Sequence, residues 1–348
     1  MNTTQNLQGA SAAAPVSQAR KPGRPWLRVA APLAIVIVLA LVPVATYLTA
    51  EPFYITLVSR IMIVALAAVG LNLVLGYGGM VSFGHALYIG IGAYAVGILS
   101  SYGITDGWVQ LAVALAAGTA AATVIGLVCS RTSGVGYIMI TLAFAQMFYS
   151  LAISFKAFGG EDGMPLPKRS DFGIINIDNN VVLYYVIFAI LFLVVFFFHK
   201  LIHARFGMVL RGSKSNKRRM GALGFPVLRY QLTAYVISAL VCVVAGLLLA
   251  NLARFVSPSY MHWTFSGDLI VMAVLGGMAS LMGPIVGAAA WLVLEELLSS
   301  LSLDLPWGLD DYIHTHWLAV MGLFVIVITI TLKHGLYGVV LSGKGRAS

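Results

Sequence analysis

The chain has 348 residues, of which 60% are hydrophobic and only 9% are charged. Soluble proteins average about 45–50% apolar and about 25% charged residues, so this composition excludes a soluble globular protein and predicts a polytopic membrane protein. The net charge of +9 would suggest nucleic acid as a partner of a soluble chain, but here the basic residues sort by side of the membrane, so no nucleic acid is expected. The two cysteines, Cys129 and Cys242, lie in apolar runs, which argues against a disulfide framework and a CxxC metal site.

The N-terminal segment 1–26 is polar and predicts a disordered cytoplasmic tail. The apolar run from Leu27 to Ala50 is too long for a signal-peptide core of roughly 7–15 residues, so it predicts an uncleaved first helix. This helix is the first element of a single all-α transmembrane domain, 27–335. A second cytoplasmic tail, 336–348, follows the domain. The other predicted helices of this domain, apart from a short pair described next, are Phe53 to Leu75, Ala86 to Ser101, Trp108 to Ser130, Tyr137 to Phe155, Val181 to Phe198, Gln231 to Ala250 and Trp317 to Leu332.

Two further apolar runs, Leu269 to Gly283 and Ile285 to Leu301, follow a loop that is predicted to end at Asp268. Each run is shorter than the roughly 20 residues that a membrane span needs, and glycines interrupt both. They predict a pair of short broken helices that either spans or re-enters the bilayer. Counting the pair as two gives about ten transmembrane segments, with both termini in the cytoplasm.

The charges support this topology, because Lys and Arg near span ends favour the cytoplasmic side. Sixteen of the 21 basic residues fall on the predicted cytoplasmic side, and no predicted cytoplasmic segment contains an acidic residue. Glu295 and Glu296 are the only acids inside a predicted helix, where they are interpreted as reaching the interface or pairing with a neighbour. Arg60, near the outer end of the second helix, is expected to reach water or Glu51.

A glycine-rich stretch from Gly70 to Tyr94 joins the second and third predicted helices. Glycine costs roughly 1 kcal/mol against alanine inside a helix, so its density predicts close backbone packing or a helix break. Within a bilayer a break is tolerated only against protein or a water-filled path. The residues beside this break and a second glycine pair are therefore candidates for a translocation path: Asn72, Ser82, Gly84, His85, Gly276 and Gly277.

The predicted cytoplasmic loop 199–230 is basic and contains a pattern of helix length that stops at Gly224, before Pro226. Attraction to anionic lipid would explain the charge alone. A helix that lies along the cytoplasmic face and docks on a partner protein would explain the pattern as well. The candidate docking residues are Arg211, Asn216, Arg218, Arg219, Leu223 and Gly224.

Several blocks of sequence resemble a known family in their order along the chain. They are Gly70-Leu71-Asn72-Leu73, Gly76-Tyr77-Gly78-Gly79, Ser82-Phe83-Gly84-His85, Phe158-Gly159-Gly160-Glu161-Asp162-Gly163, Arg205-Phe206-Gly207, Asn216-Lys217-Arg218, Ala222-Leu223-Gly224, Gly276-Gly277 and Gly283-Pro284-Ile285-Val286-Gly287-Ala288. Over residues 55–340 the chain resembles the permease subunits of branched-chain amino acid ABC importers, and the LivM-like permease more than its LivH-like partner.

The resemblance implies a transport subunit of the bacterial inner membrane, with no cofactor or metal of its own. It implies a path for branched-chain, hydrophobic amino acids and four kinds of neighbour: a second, LivH-like permease, two ATPase subunits, a periplasmic substrate-binding protein and the lipid bilayer. It also implies that the loop 199–230 is the coupling loop seated on an ATPase. One departure is Ser215, where family members usually have an acidic residue before the loop's Asn.

Two other functions stay open at the level of sequence. A path without fixed intramembrane charge suits a net-neutral zwitterion, but it suits urea or a short amide equally well. A stand-alone secondary transporter or channel is the second alternative, although ion-coupled carriers usually place a titratable group near the bilayer midplane. The sequence offers only Glu295 and Glu296 for that role. It offers no Ser-His-Asp set that would indicate a membrane enzyme.

Overall fold

The computed structural model describes residues 34–43, 46, 53–173, 176–278, 280–300, 317–331 and 335–342. The helices are α1 (Ala34–Pro43), α2 (Phe53–Asn72), α3 (His85–Ser101), α4 (Gly107–Cys129), α5 (Val135–Ser154), α6 (Asn180–His203), α7 (Arg205–Ser215), α8 (Lys217–Ala222), α9 (Val227–Ala253), α10 (Trp263–Gly276), α11 (Gly283–Ser300), α12 (Trp317–Thr331) and α13 (Gly335–Ser342). Two short strands, β1 (Met164–Pro165) and β2 (Phe255–Val256), pair antiparallel.

Five helical segments of the described chain are long and apolar enough to cross a membrane: Phe53–Tyr77, Gly107–Cys129, Val135–Ser154, Asn180–His203 and Val227–Ala253. Shorter apolar helices lie at Ala34–Pro43, His85–Ser101, Trp263–Gly276 and Leu318–Ile328. The predicted all-α, multi-pass membrane architecture is therefore confirmed.

The core of the bundle surrounds α2 and α9. In its most apolar part α2 is 83% buried and α9 is 67% buried, whereas α4, α5 and α6 are between 22% and 33% buried. The helices α3, α4, α6, α10 and α11 pack directly on α2 or α9. Because α4, α5 and α6 are at most one third buried in their most apolar parts, they leave wide apolar faces for lipid or another subunit.

Glycines bring two helix pairs into backbone contact. A side chain at Gly92 of α3 would overlap the carbonyl oxygen of Val243 in α9, and one at Gly246 of α9 would overlap the carbonyl oxygen of Ile89. A side chain at Gly287 of α11 would likewise overlap the carbonyl oxygen of Met272 in α10. Close approach through small residues is how helices associate in a membrane, where lipid removes the hydrophobic drive.

A long loop between α5 and α6 is anchored by Arg169, which is 7% exposed. Its Nε donates to the Asn251 carbonyl, Nη1 donates to the carbonyls of Ile177 and Asp178 at 2.9 Å, and Nη2 donates to Asn180 Oδ1. Burial lowers the pKa of this guanidinium, and the Arg254 charge lowers it further. The four acceptors satisfy the buried donors, so the loop is fixed to α9 and to the start of α6.

The structure corrects the predicted boundaries near the C-terminus. Helix α10 begins at Trp263, where the His262 side chain accepts from the Thr264 backbone N–H, so the loop does not end at Asp268. Asp268 lies inside α10, and the break between the two short helices falls between Gly276, where α10 ends, and Gly283, where α11 begins, instead of at 283–284. Residues 335–342, predicted mostly as tail, form α13, which packs on α10 and α11.

The other predicted elements agree in kind with the structure. Helix α6 extends to His203, and the basic loop holds two helices, α7 and α8, where the sequence predicts one. Of the predicted first helix, Ala34–Pro43 is described as helix. The predicted tail 1–26, Glu51 and the last residues of the chain lie outside the described residues.

Candidate translocation site and coupling loop

The break that the glycine-rich stretch predicts begins at the end of α2. The α-helix ends at Asn72 and continues as one π-helical turn, Leu73–Tyr77. Beyond it the Gly78 N–H donates to the Leu73 carbonyl at 3.1 Å, and Gly79 adopts a positive φ of 69°. The chain then stays non-helical until α3 starts at His85. Turns of π-helix are rare and often occur at functional sites.

His85 opens α3 and is fully buried. Its Nε2 lies 2.9 Å from Ser238 Oγ, whose hydroxyl donates to the Gly70 carbonyl at 2.6 Å. Because that hydrogen is used on Gly70, Ser238 must accept from His85, so Nε2 carries a hydrogen. His85 Nδ1 lies 3.1 Å from the Ser82 hydroxyl oxygen, within hydrogen-bond distance. One hydrogen-bonded chain therefore joins α3, α9 and α2.

The start of α3 is held by two more side-chain acceptors. Thr141 Oγ1 in α5 accepts from the Phe83 N–H at 3.2 Å, and Ser266 Oγ in α10 accepts from the Ala86 N–H at 2.8 Å. A Cβ at Gly84 would lie 3.2 Å from the Thr141 carbonyl oxygen. Hydroxyls thus satisfy backbone donors that a helix start leaves unpaired. That Ser82, Gly84 and His85 line a translocation path stays a prediction.

The structure brings Asn72 together with the second glycine pair. Asn72 Nδ2 donates to the Ser280 carbonyl at 3.0 Å, and its buried Oδ1 has no partner in the described part of the chain. A side chain at Gly76 would overlap Asn72 and the Met278 carbonyl, and Gly277 has a φ of 111°. We call this meeting of the π turn with the turn between α10 and α11 the glycine junction; it comprises Asn72, Gly76, Gly276–Met278 and Ser280.

The basic loop contacts the glycine junction through a residue that the sequence analysis missed. Lys214, near the end of α7, donates from Nζ to the Gly76 carbonyl at 2.7 Å. A Cβ at Gly79 would lie 2.7 Å from Lys214 Cγ, so the stem of the lysine also packs on the break. Lys214 lies among other basic residues in the sequence, so the sequence predicts only that its charge binds anionic lipid or a partner protein. The fold shows that its side chain contacts the glycine junction.

The predicted docking residues divide into two groups. Asn216 caps α8 by accepting from the Arg219 N–H at 2.9 Å, and Gly224 ends the helical segment with a φ of 85°. Arg211 donates to the carbonyls of Gly207 and Ile202, so its guanidinium is used within the chain. All six are exposed, and Arg218, Arg219 and Leu223 are the members without one of these roles in the described chain, so they are available to a partner protein.

A separate cavity of about 490 Å³ lies between α2, α9, α10 and α11. Three charged side chains line it: Arg60, Asp268 and Glu295. Arg60 Nη2 lies 3.7 Å from Glu295 Oε1, so the interpretation that Glu295 pairs with a neighbour is confirmed. The cavity therefore contains fixed charges, and one of them is Asp268, which the sequence predicts at the end of a loop.

Apolar helices broken at glycines, a charged cavity among the central helices and a basic helix contacting the break together define a multi-pass membrane transport protein. The chain belongs to the family described as "Branched-chain amino acid transport system / permease component", whose model matches residues 53–331. This confirms the resemblance drawn from the sequence blocks.

Curated relatives carry the same description. The chain is 28% identical over 261 residues to the "High-affinity branched-chain amino acid transport system permease protein LivM" of Escherichia coli, and 27% identical over 261 residues to that of Salmonella typhimurium. Each match covers 68% of this chain and 61% of the relative. A "Probable branched-chain amino acid transport permease protein LivM" of Methanocaldococcus jannaschii is 24% identical over 76% of this chain and 87% of its own length. No solved structure matches at a significant level.

Proposed function

We propose that the chain is a permease subunit of an ATP-binding-cassette importer of the bacterial inner membrane. It forms a translocation path for branched-chain or similarly hydrophobic amino acids that a periplasmic binding protein delivers. Family membership and the printed names of the relatives support the substrate class. The observation that carries the mechanism is the bond from Lys214 to the Gly76 carbonyl, because it joins a basic surface helix to the broken end of the central helix.

The topology in this proposal has about ten segments with both termini in the cytoplasm. Nine apolar helices of the described chain support the count, namely α1 to α6, α9, α10 and α12, and α11 would supply the tenth segment. The segregation of basic residues supports a cytoplasmic position for α7 and α8. The transmembrane domain is 27–335, and the coupling loop is 199–230.

The partners are a second, LivH-like permease, two ATPase subunits and the binding protein. Arg218, Arg219 and Leu223 are exposed on or beside α8, where an ATPase would dock. Helices α4, α5 and α6 are at most one third buried in their most apolar parts, which leaves apolar surface for the second permease and for lipid. ATP hydrolysis takes place on the ATPase subunits, and movement of α7 reaches the glycine junction through Lys214.

The test is co-expression of the tagged chain with the ATPases, the second permease and the binding protein from its gene neighbourhood. We expect the ATPases to co-purify and the binding protein to stimulate ATP hydrolysis. Lys214→Met should retain co-purification and lose stimulation, whereas Lys214→Arg should retain both. Lys200→Met, which removes a basic residue of α6 placed over the Phe196 ring, is the matched control and should behave as wild type.

Two results would contradict the proposal. The first is transport by this chain alone without any ATPase, which would make it a stand-alone carrier or channel. The second is an assembled complex that is stimulated by a binding protein loaded with urea or a short amide and not by one loaded with a branched-chain amino acid. That result would keep the importer class and change the substrate.

A further inference from the structure

The cavity between α2, α9, α10 and α11, here called the outer cavity, receives one charged side chain from each of three helices. Arg60 comes from α2, Asp268 from α10 and Glu295 from α11. Its volume of about 490 Å³ falls within the roughly 300–1,000 Å³ of small-molecule sites. Charged side chains inside a membrane domain are costly to place, so they are expected to serve a ligand or a transported species.

The charges in the outer cavity are not balanced by one another. Arg60 and Glu295 form an ion pair at 3.7 Å, with side chains 51% and 28% exposed. Asp268 has neither a hydrogen bond nor an ion pair with any described residue, and the Glu295 carboxylate repels it. The cavity therefore holds one cation and two carboxylates, which favours a ligand that brings a further positive group. Its negative group would be accepted by Arg60.

The lining of the outer cavity changes from charged to apolar along the helix axes. Each charged residue has an apolar lining residue four positions away: Val64 follows Arg60, Met272 follows Asp268, and Trp291 precedes Glu295. Residues four apart lie on one helix face, one turn from each other. Because α11 runs back from the turn that ends α10, all three apolar residues lie nearer the glycine junction than their charged neighbours do.

We propose that the outer cavity binds the transported amino acid as a zwitterion. Its carboxylate lies at Arg60, its ammonium group lies between Asp268 and Glu295, and its hydrocarbon side chain lies against Val64, Met272 and Trp291. The inference rests on the proposed function as an amino-acid importer. A zwitterion supplies a group of opposite charge to Arg60, Asp268 and Glu295 alike. Urea and simple amides lack both charges and would leave the Arg60–Glu295 pair in place.

The test measures binding of radiolabelled leucine and two analogues to the purified full chain in lipid nanodiscs. The analogues are 3-methylbutylamine, which lacks the carboxylate, and 4-methylpentanoate, which lacks the ammonium group. Asp268→Asn should weaken leucine binding about tenfold to a hundredfold, as expected for loss of a charged hydrogen bond. It should not weaken 4-methylpentanoate. Arg60→Gln should weaken leucine similarly and leave 3-methylbutylamine unchanged.

Glu296→Gln is the control, since Glu296 neighbours Glu295 in α11 and is not among the residues that line the cavity. It should bind leucine as wild type does. Arg60→Lys keeps the charge and should recover part of the affinity lost in Arg60→Gln, which separates a binding role from damage to the fold. Leucine uptake by the assembled wild-type importer is measured in parallel and tests the proposed function by itself.

The outcomes distinguish the proposed zwitterion site from the proposed importer function. Wild-type uptake together with unchanged leucine binding in Asp268→Asn and Arg60→Gln would overturn the zwitterion site and leave the importer in place. An equal loss for leucine and both analogues would also overturn it, because the effect would then be general. Ligand-specific losses without importer uptake would keep the site and reject the proposed function.

Discussion

Replacing His85 by alanine should destabilise the bundle by about 3–5 kcal/mol. Two buried hydrogen bonds are lost, from His85 to Ser82 and to Ser238, and each abandoned partner costs about 1–3 kcal/mol. Edge-on contacts with the rings of Tyr88 and Tyr235, at 6.0 and 5.5 Å, are lost as well, at about 0.5–1.5 kcal/mol each. The lower end of each free-energy range applies to the two serines, because Ser82 and Ser238 each keep another hydrogen bond.

The assay is thermal unfolding of the purified chain, followed by the fraction that stays monodisperse on size-exclusion chromatography. A loss of this size corresponds to a fall in the melting temperature of roughly 10 °C by the scaling for large soluble domains. Ser238→Ala removes one partner and should cause a smaller fall. His203→Ala, at the exposed end of α6, should cause almost none. A His85→Ala melting temperature equal to wild type would refute the assigned network.

Three further predictions concern packing, docking and topology. Even Gly92→Ala should lower the melting temperature in the same assay, and Gly92→Leu should lower it more, because any Cβ there would overlap a backbone carbonyl of α9. Reversing the charge of Arg218 and Arg219 to glutamate should leave membrane insertion intact and reduce ATPase co-purification, since attraction at a docked surface becomes repulsion; normal co-purification would reduce the loop to a topogenic signal. A cysteine at Ser215 should react with an impermeant reagent only from the cytoplasm, and one at Asp162 only from outside; labelling of Ser215 in intact cells would overturn the topology.

The long helices and the break after α2 could be predicted from the sequence, because each depends on local composition. Apolar runs of span length specify α2, α4, α5, α6 and α9. The glycine density between Gly70 and Gly79 identifies the break, and Gly224 before Pro226 marks the end of the basic helical segment. In each case the residue types restrict the backbone directly.

The outer cavity could not be predicted, because it depends on contacts between residues far apart in sequence. Asp268 follows polar residues and reads as the end of a loop, although the His262 cap starts the helix six residues earlier. Arg60 and Glu295 meet only because α2 packs on α11. In the sequence Lys214 is one of many basic residues, and only the fold shows its hydrogen bond to the Gly76 carbonyl. Tertiary packing decides these positions, and propensity does not.

The central claim, that this chain forms the path of an ATP-driven importer, is tested most directly by leucine uptake into proteoliposomes. The vesicles would contain this chain, the second permease and the two ATPases, with ATP inside and leucine and the binding protein outside. The account predicts uptake that stops when ATP, the binding protein or this chain is omitted. Equal uptake without ATP, or uptake by this chain alone driven by an ion gradient, would contradict it.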